Sequence, residues 1–362
     1  MTIIQIVPQL PPAIDGLGDY ALNLGLQLQE DFGLQTIFVV GNSETKSESI
    51  EGFSVKPLSI HSAKALTSLL AELKPKSSIV LLHYVNYGYE KRGCPFWLIR
   101  GLKRWLAANK NCQLVTMFHE VYASSSLPWT SSFWTSPVQK HLALQLSELS
   151  EYCLTSKQLY AQFLQELNPS LGKQIPAIPV FSNIGEPQKV PPLIERTRRL
   201  VVFGGSGTRL RVYQKSLCFL TEICQQLDIK EIVDIGPATG LNLSDVQGVP
   251  VVVMGKQPAS KISEIFLDSI VGFFYYPLDF LARSTIFAAY CSHGLIPVGS
   301  SYYAWGKEND GLIVGQHYWL ADGQKTILNL PVGQSIANTA FDWYQSHRLS
   351  EQSKLFAQYL LS

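Results

Sequence analysis

The stretch Leu200-Val201-Val202-Phe203-Gly204-Gly205-Ser206-Gly207-Thr208-Arg209-Leu210-Arg211-Val212-Tyr213-Gln214-Lys215 carries the reading of the fold. An apolar run opens directly into a glycine-rich turn, and the cations Arg209, Arg211 and Lys215 follow it. Glycine lets a backbone approach an anion closely, and fixed cations beside it match phosphate charge without a metal ion. The competing reading of the same residues is a solvated helix start. The beginning of the chain runs in parallel: Ile3 to Val7, a proline cluster, Gly16-Leu17-Gly18-Asp19-Tyr20, then a stretch rich in Leu22, Leu24, Leu26 and Leu28. Leucine, alanine and glutamine favour helix, so this stretch is read as one. Gly16 and Gly18 either approach a phosphate or only permit a tight strand-to-helix turn.

Working outward from these two turns, short β-rich runs alternate with helical patterns. In the first half they are Ile3 to Val7, Gln35 to Val40, Ser78 to His83 and Gln113 to Phe118. The second half repeats the plan with Leu200 to Phe203, Glu231 to Ile235, Val249 to Met254, Ser269 to Phe274 and Leu295 to Val298. Several runs are apolar on both faces and lie far enough apart for a crossover helix, which predicts an α/β protein with parallel sheets. A chain of 362 residues exceeds one typical core. The proline-containing stretch after Ile178 places the boundary between domains 1–187 and 188–344, with a helix in 345–362 free to pack back on the first.

Composition narrows the function. A hydrophobic share of 46% against 16% charged residues predicts a globular protein with ample core, and a net charge of +1 argues against nucleic acid as partner. The cysteines Cys94, Cys112, Cys153, Cys218, Cys224 and Cys291 form no CxxC pair, as expected of reduced thiols in the cytoplasm. The N-terminus lacks the pattern of a signal peptide, and no apolar run is long enough to span a bilayer. No Asp-x-Asp pair and no metal-ligand spacing occurs, so neutralising a diphosphate would fall to cations and helix N-termini.

Three further groups of residues invite chemistry. His119 ends the apolar strand Gln113 to Phe118, where α/β folds place ligands. Its imidazole suits hydrogen bonding to a hydroxyl or balancing developing charge, and equally a structural bond to backbone. The segment Leu82 to Trp97 is unusually aromatic: Tyr84 and Tyr87 could stack on a sugar face while Asn86 and Glu90 reach hydroxyls, or the rings could be local packing. From Lys91 to Lys110 the cations Lys91, Arg92, Arg100, Lys103, Arg104 and Lys110 stand among Phe96, Trp97, Leu98, Leu102 and Trp105 with no acidic residue. This is either a basic amphipathic face for anionic lipid on the inner side of a membrane, or a crossover helix with a cationic outer side.

The order of these features resembles the GT-B glycosyltransferases, in particular the retaining, nucleotide-sugar-dependent family-four enzymes. The resemblance implies two Rossmann-like parallel-sheet domains facing a central cleft, the first for the acceptor and the second for the donor. Gly16-Leu17-Gly18-Asp19-Tyr20 looks like the family loop near the donor phosphates, and Gln113 to Glu120 like the strand ending in an active-site histidine, His119. Arg209 with Lys215 resembles the pair that neutralises the diphosphate, and Arg211 could replace either. Met254-Gly255-Lys256-Gln257-Pro258 looks like the part framing the nucleobase. The segment Tyr276 to Val298 falls where the family carries paired glutamates, but counting back from Gly294 puts Leu281 and Ala289 at those positions. Asp279 is the nearest carboxylate, and Arg283 and Ser284 could add phosphate contacts. The implied activity is transfer of a hexosyl group from a nucleotide-diphosphate sugar to a carbohydrate or lipid-linked hydroxyl, with retention, and with no metal or cofactor beyond the donor itself. Two alternatives stay open: a degenerate protein of this fold that binds a nucleotide sugar or a partner, and an epimerase or hydrolase acting on the nucleotide sugar.

Overall fold

A computed structural model describes residues 1–12, 16–41, 47–74, 78–123, 129–171, 174–300, 310–321 and 327–362. The chain separates into two units, Met1–Ile178 with Leu349–Ser362, and Pro179–Arg348. The first holds strands β1 (Thr2–Val7), β2 (Gln35–Val40), β3 (Ser49–Ile50), β4 (Phe53–Pro57), β5 (Ile79–Tyr84), β6 (Gln113–Phe118) and β7 (Tyr152–Thr155). They form a 7-stranded sheet in the order β3-β4-β2-β1-β5-β6-β7, parallel except for the β3–β4 hairpin.

The second unit holds β8 (Thr197–Phe203), β9 (Glu231–Ile235), β10 (Asp245–Val246), β11 (Val249–Gly255), β12 (Ser269–Tyr275), β13 (Ile296–Ser300) and β14 (Trp319–Leu320). Its sheet runs β10-β11-β9-β8-β12-β13-β14, again parallel except for one hairpin, β10–β11. Strand for strand, this is the order of the first sheet. Central strands such as β5 and β13 are buried along their whole length, as strands between two helical layers must be.

In each sheet the chain leaves its first strand toward one edge and later returns on the other side. The reversal falls between β1 and β5, and between β8 and β12. At such a point the crossovers diverge and leave a crevice beyond the carboxyl ends of the strands. The fold therefore marks one ligand-competent end in each unit before any side chain is considered.

The division differs from the expected one. Residues 179–187 belong with the second unit, because the Val180 N–H donates to the Ala282 carbonyl (2.8 Å) and the Ser182 N–H to the Tyr344 hydroxyl (2.9 Å). At the other end the change falls after Arg348. The helix Leu349–Leu360 packs on the helix Gly16–Phe32 of the first unit, where Tyr20 donates to Gln352 Oε1 (2.6 Å) and Ser353 to Asp31 Oδ2 (2.6 Å).

Candidate functional site

His119 stands immediately beyond β6, its N–H donating to the Tyr84 carbonyl at 2.9 Å. Its side chain is 9% exposed, lies edge-on to Tyr20 at 5.1 Å between ring centroids, and stacks against His83 at 5.5 Å. Nε2 of His119 is 3.2 Å from Nδ1 of His83, whose Nε2 is 2.8 Å from Gln5 Oε1. Burial pushes the His83 pKa down to about 3. Neither His83 nor Gln5 stood out in the sequence reading. The available signal was a polar residue inside an apolar strand, Gln5 in Ile3 to Val7 and His83 in Ile79 to Tyr84.

The glycines beside this site divide. Gly16 is exposed, whereas a Cβ on Gly18 would meet the Gln9 carbonyl at 2.6 Å. Gly18 is therefore required by close backbone packing and does not present an open face to a phosphate. Gly16 to Tyr20 is the first turn of a helix, and Asp19 places a carboxylate there. That charge favours the helix dipole and works against a second anion at the same end.

The aromatic segment after β5 corrects the expectation for half of its residues. Tyr84 and Asn86 are fully buried, and the Asn86 amide donates to the Val121 carbonyl (3.2 Å). Tyr89 is buried as well, with its hydroxyl on the Ile6 and His83 carbonyls (3.0 and 2.9 Å). Tyr84 and Asn86 are packing residues because the loop folds inward onto the strand ends. Tyr87, 42% exposed, and half-buried Glu90 face outward.

The helix Phe96–Ala108 settles the apolar side of the cationic segment. Trp97, Leu98, Leu102 and Trp105 are buried, Trp97 stacks on His61 at 4.7 Å, and the helix lies against Ala63–Leu73, whose Thr67 hydroxyl donates to the Gly101 carbonyl (3.1 Å). These side chains are inside, so they are not free to enter lipid. Lys91, Arg92, Arg100, Lys103, Arg104 and Lys110 are all exposed, joined by Phe96 at 41%.

In the second unit the glycine turn after β8 leads into the helix Ser206–Lys215. Arg209 does not face outward there: it is 1% exposed and takes a different role from the one expected. Its Nε donates to the Gly204 carbonyl (2.9 Å), one terminal nitrogen pairs with Asp234 on β9, and the other donates to the Pro237 carbonyl. Tyr213 donates to the remaining Asp234 oxygen at 2.8 Å. The side chain is a buried brace between two glycine turns. A Cβ on Gly236 would stand 2.1 Å from the Gly204 carbonyl, so those turns touch without room for a methyl group.

Arg211 and Lys215 are exposed and four residues apart, which puts them on one outer face of the helix. Gly205, Ser206 and Gly207 at its start are exposed, no side chain caps them, and no acidic residue lies in the first turn. Elsewhere at the carboxyl end, Gly255 adopts φ +66° and Lys256 is exposed. Asp279 is 6% exposed, Arg283 lies over the Phe280 ring at 5.7 Å, and buried Ser284 caps the helix Thr285–Ser292 by accepting from the Phe287 N–H (3.2 Å). Leu281 and Ala289 are buried and apolar. Among the described residues no group of three His, Cys, Asp or Glu side chains is placed to hold a metal ion, and no helix is long and apolar enough to cross a membrane.

Solved structures share this fold. TarM superposes with a TM-score of 0.62 at 7% identity, covering 100% of this chain and 99% of that one. An α-glucosyltransferase in complex with UDP and a 13-mer DNA containing a central A:G mismatch gives 0.59 at 10% identity, covering 99% and 98%. A UDP-N-acetylglucosamine 2-epimerase, so described for Listeria monocytogenes, gives 0.52 at 13% identity, covering 97% and 90%. No protein-family model matches the chain, and no curated protein matches its sequence. At these identities the likeness is one of fold. The fold is GT-B, an α/β architecture of two parallel-sheet units found in glycosyltransferases.

Proposed function

We propose that this chain is a glycosyltransferase that moves a hexosyl group from a nucleotide-diphosphate sugar to a hydroxyl, with retention and without a metal ion. The observation that carries the reading is the start of the helix Ser206–Lys215. At the carboxyl end of β8 it offers exposed backbone N–H groups free of side-chain caps and first-turn acids, with Arg211 and Lys215 exposed on one side. Charge builds on a departing diphosphate as the glycosidic bond stretches, and prearranged N–H groups and cations lower that barrier. Lys256, Arg283 and Gly255 complete the donor side, and Asp279, the carboxylate nearest Leu281 in the sequence, is assigned to a sugar hydroxyl. On the first unit His119 orients the transferred sugar, while Tyr87 and Glu90 meet the acceptor.

The test is a thermal-shift screen against UDP, GDP, ADP, TDP and their sugar conjugates, with and without magnesium. A shift with one nucleotide family that needs no magnesium is expected; no shift with any of them removes the reading. Arg211→Ala and Lys215→Ala are each expected to weaken nucleoside diphosphate binding about tenfold or more, the loss of one charge-assisted hydrogen bond. Equal affinity in both variants would take the phosphate off this face.

A second reading has a specific observation behind it. Buried Leu281 and Ala289 stand where the resemblance places two carboxylates, which favours a protein that binds the nucleotide sugar without transferring it. Slow donor hydrolysis without acceptor separates the two, since only the transferase shows it. For the lipid-linked acceptor, the exposed cations of 91–110 are the surface that would meet anionic headgroups. Sedimentation with phosphatidylglycerol vesicles that disappears at about 0.5 M salt, where screening shortens to a few ångströms, is the expected result. Binding that persists unchanged at that salt would reject the electrostatic contact.

A further inference from the structure

The helix Ser131–Leu149 follows β6 as the helix Phe96–Ala108 follows β5. Strands β5, β6 and β7 are parallel neighbours in that order, so two right-handed crossovers put both helices on one face of the sheet, side by side and pointing the same way. The helices touch, and the Gln139 amide donates to the Arg92 carbonyl (3.3 Å), tying the second helix to the segment that leads into the first. Each helix buries one side and shows the other. On the first, Phe96 and Arg100 are exposed one turn apart, with the guanidinium 5.7 Å from the ring centre, and Lys103 and Arg104 are exposed a turn further on. On the second, Phe133 (37% exposed) and Trp134 (71%) lie in the first turn, edge-on to each other at 5.4 Å; Trp129 (80%) stands just before it, and Lys140 is exposed fewer than two turns on.

The charge on these faces has one sign. Between Lys91 and Ser147 seven Lys and Arg side chains stand against a single acid, half-buried Glu120, in a chain whose totals of 29 and 28 almost balance. Apolar residues exposed one by one need no explanation, whereas large aromatic rings gathered at neighbouring helix starts, beside cations, mark a contact. We propose that Trp129, Phe133 and Trp134 enter the headgroup region of an anionic bilayer while the cations of both helices rest on its phosphates. Indole suits that depth because its body is apolar and its N–H stays near polar partners, and cations beside it gain from the negative surface. A water-soluble polyanion would match the cations but offer the indoles no apolar layer, and a neutral sugar would leave the cations without a role. Trp97, Leu102 and Trp105 stay in the core throughout, so the folded helices make the contact with their outer side chains. The inference rests on the anionic-lipid contact proposed above and adds the residues that enter the lipid.

Vesicles of phosphatidylglycerol brominated on the acyl chains near the headgroup test it with the full chain, because bromine quenches only tryptophans that reach the bilayer. Tryptophan emission is expected to fall on these vesicles and to stay unchanged with brominated phosphatidylcholine, which lacks the charge that brings the protein down. Trp129→Ser with Trp134→Ser should lower affinity for phosphatidylglycerol vesicles about tenfold or more in sedimentation, since two exposed rings lose their apolar burial. The paired change of both to Phe keeps apolar rings and should hold affinity within about threefold of the unmodified protein. Salt-sensitive vesicle binding without quenching, or equal affinity in the serine variant, overturns the insertion and leaves the electrostatic contact standing. No binding by the unmodified protein removes both.

Discussion

Arg209→Ala is expected to destabilise the second unit by about 3–5 kcal/mol, the usual cost of removing one partner from a buried ion pair. The side chain is enclosed, and its three nitrogens serve the Gly204 carbonyl, Asp234 and the Pro237 carbonyl. Truncation would leave the Asp234 carboxylate in the sheet with the Tyr213 hydroxyl as a hydrogen-bond donor, and two carbonyls short of theirs. The same change at Lys215, on the exposed face of the same helix, should move stability by no more than about 0.5 kcal/mol. Urea unfolding of the two variants checks the contrast. A double change, Arg209→Met with Asp234→Leu, should recover much of the loss, because what is costly is the orphaned charge and not the absence of the pair. If Arg209→Ala unfolds like the unmodified protein but loses nucleotide affinity, the inward placement of this arginine is wrong and the original expectation of a phosphate ligand returns.

That contrast shows what the sequence could and could not say. The strand-rich runs were legible because apolar side chains, mostly Ile, Val, Leu and Phe, occupy both faces of β1, β2, β6, β8, β9 and β12, the pattern of a doubly covered parallel sheet. The two-residue strands β3, β10 and β14 have no period to read, and β7, at four residues, is barely longer. Arg209, Arg211 and Lys215 looked alike in one dimension. The helix turns Arg209 inward and the other two outward, and the reason for the inward turn is Asp234, a buried acid between the apolar Val233 and Ile235 of β9. Gln5 and His83 are the same kind of signal. A lone polar residue in such a strand announces that a partner exists, but the partner lies across neighbouring strands or on a covering helix, and only the register names it. The glycines followed the same rule. Gly18 and Gly236 are required by backbone that approaches them from outside their own turns, and a local reading assigns such a requirement to a ligand.

Acid should loosen the second unit steeply, through two buried imidazoles that stay neutral while it is folded. Burial pushes the pKa of His83 down to about 3 in the first unit; in the second it pushes His347 to about 3 and His293 to about 4, with Arg196 adding to the effect at His293. His317, also in the second unit, leans the same way through partial burial. Each of these rings is neutral when folded and takes up a proton near pH 6.5 once exposed, so the unfolded chain binds more protons throughout the window between its own pKa and the folded one. Stability therefore rises with pH: the contribution is whole above pH 6.5 and is lost as the pH falls toward 4 or 3. One proton is worth about 1.4 kcal/mol per pH unit, so the slope in the second unit should approach about 2.7 from its two most buried rings, and His83 should add about 1.4 in the first. Urea unfolding at pH 7, 6 and 5, followed by resolved NMR signals from each unit, measures the slopes. His347→Gln removes one titrating ring and should roughly halve the slope of the second unit. A flat slope would mean that these imidazoles are hydrated or already protonated in the folded protein.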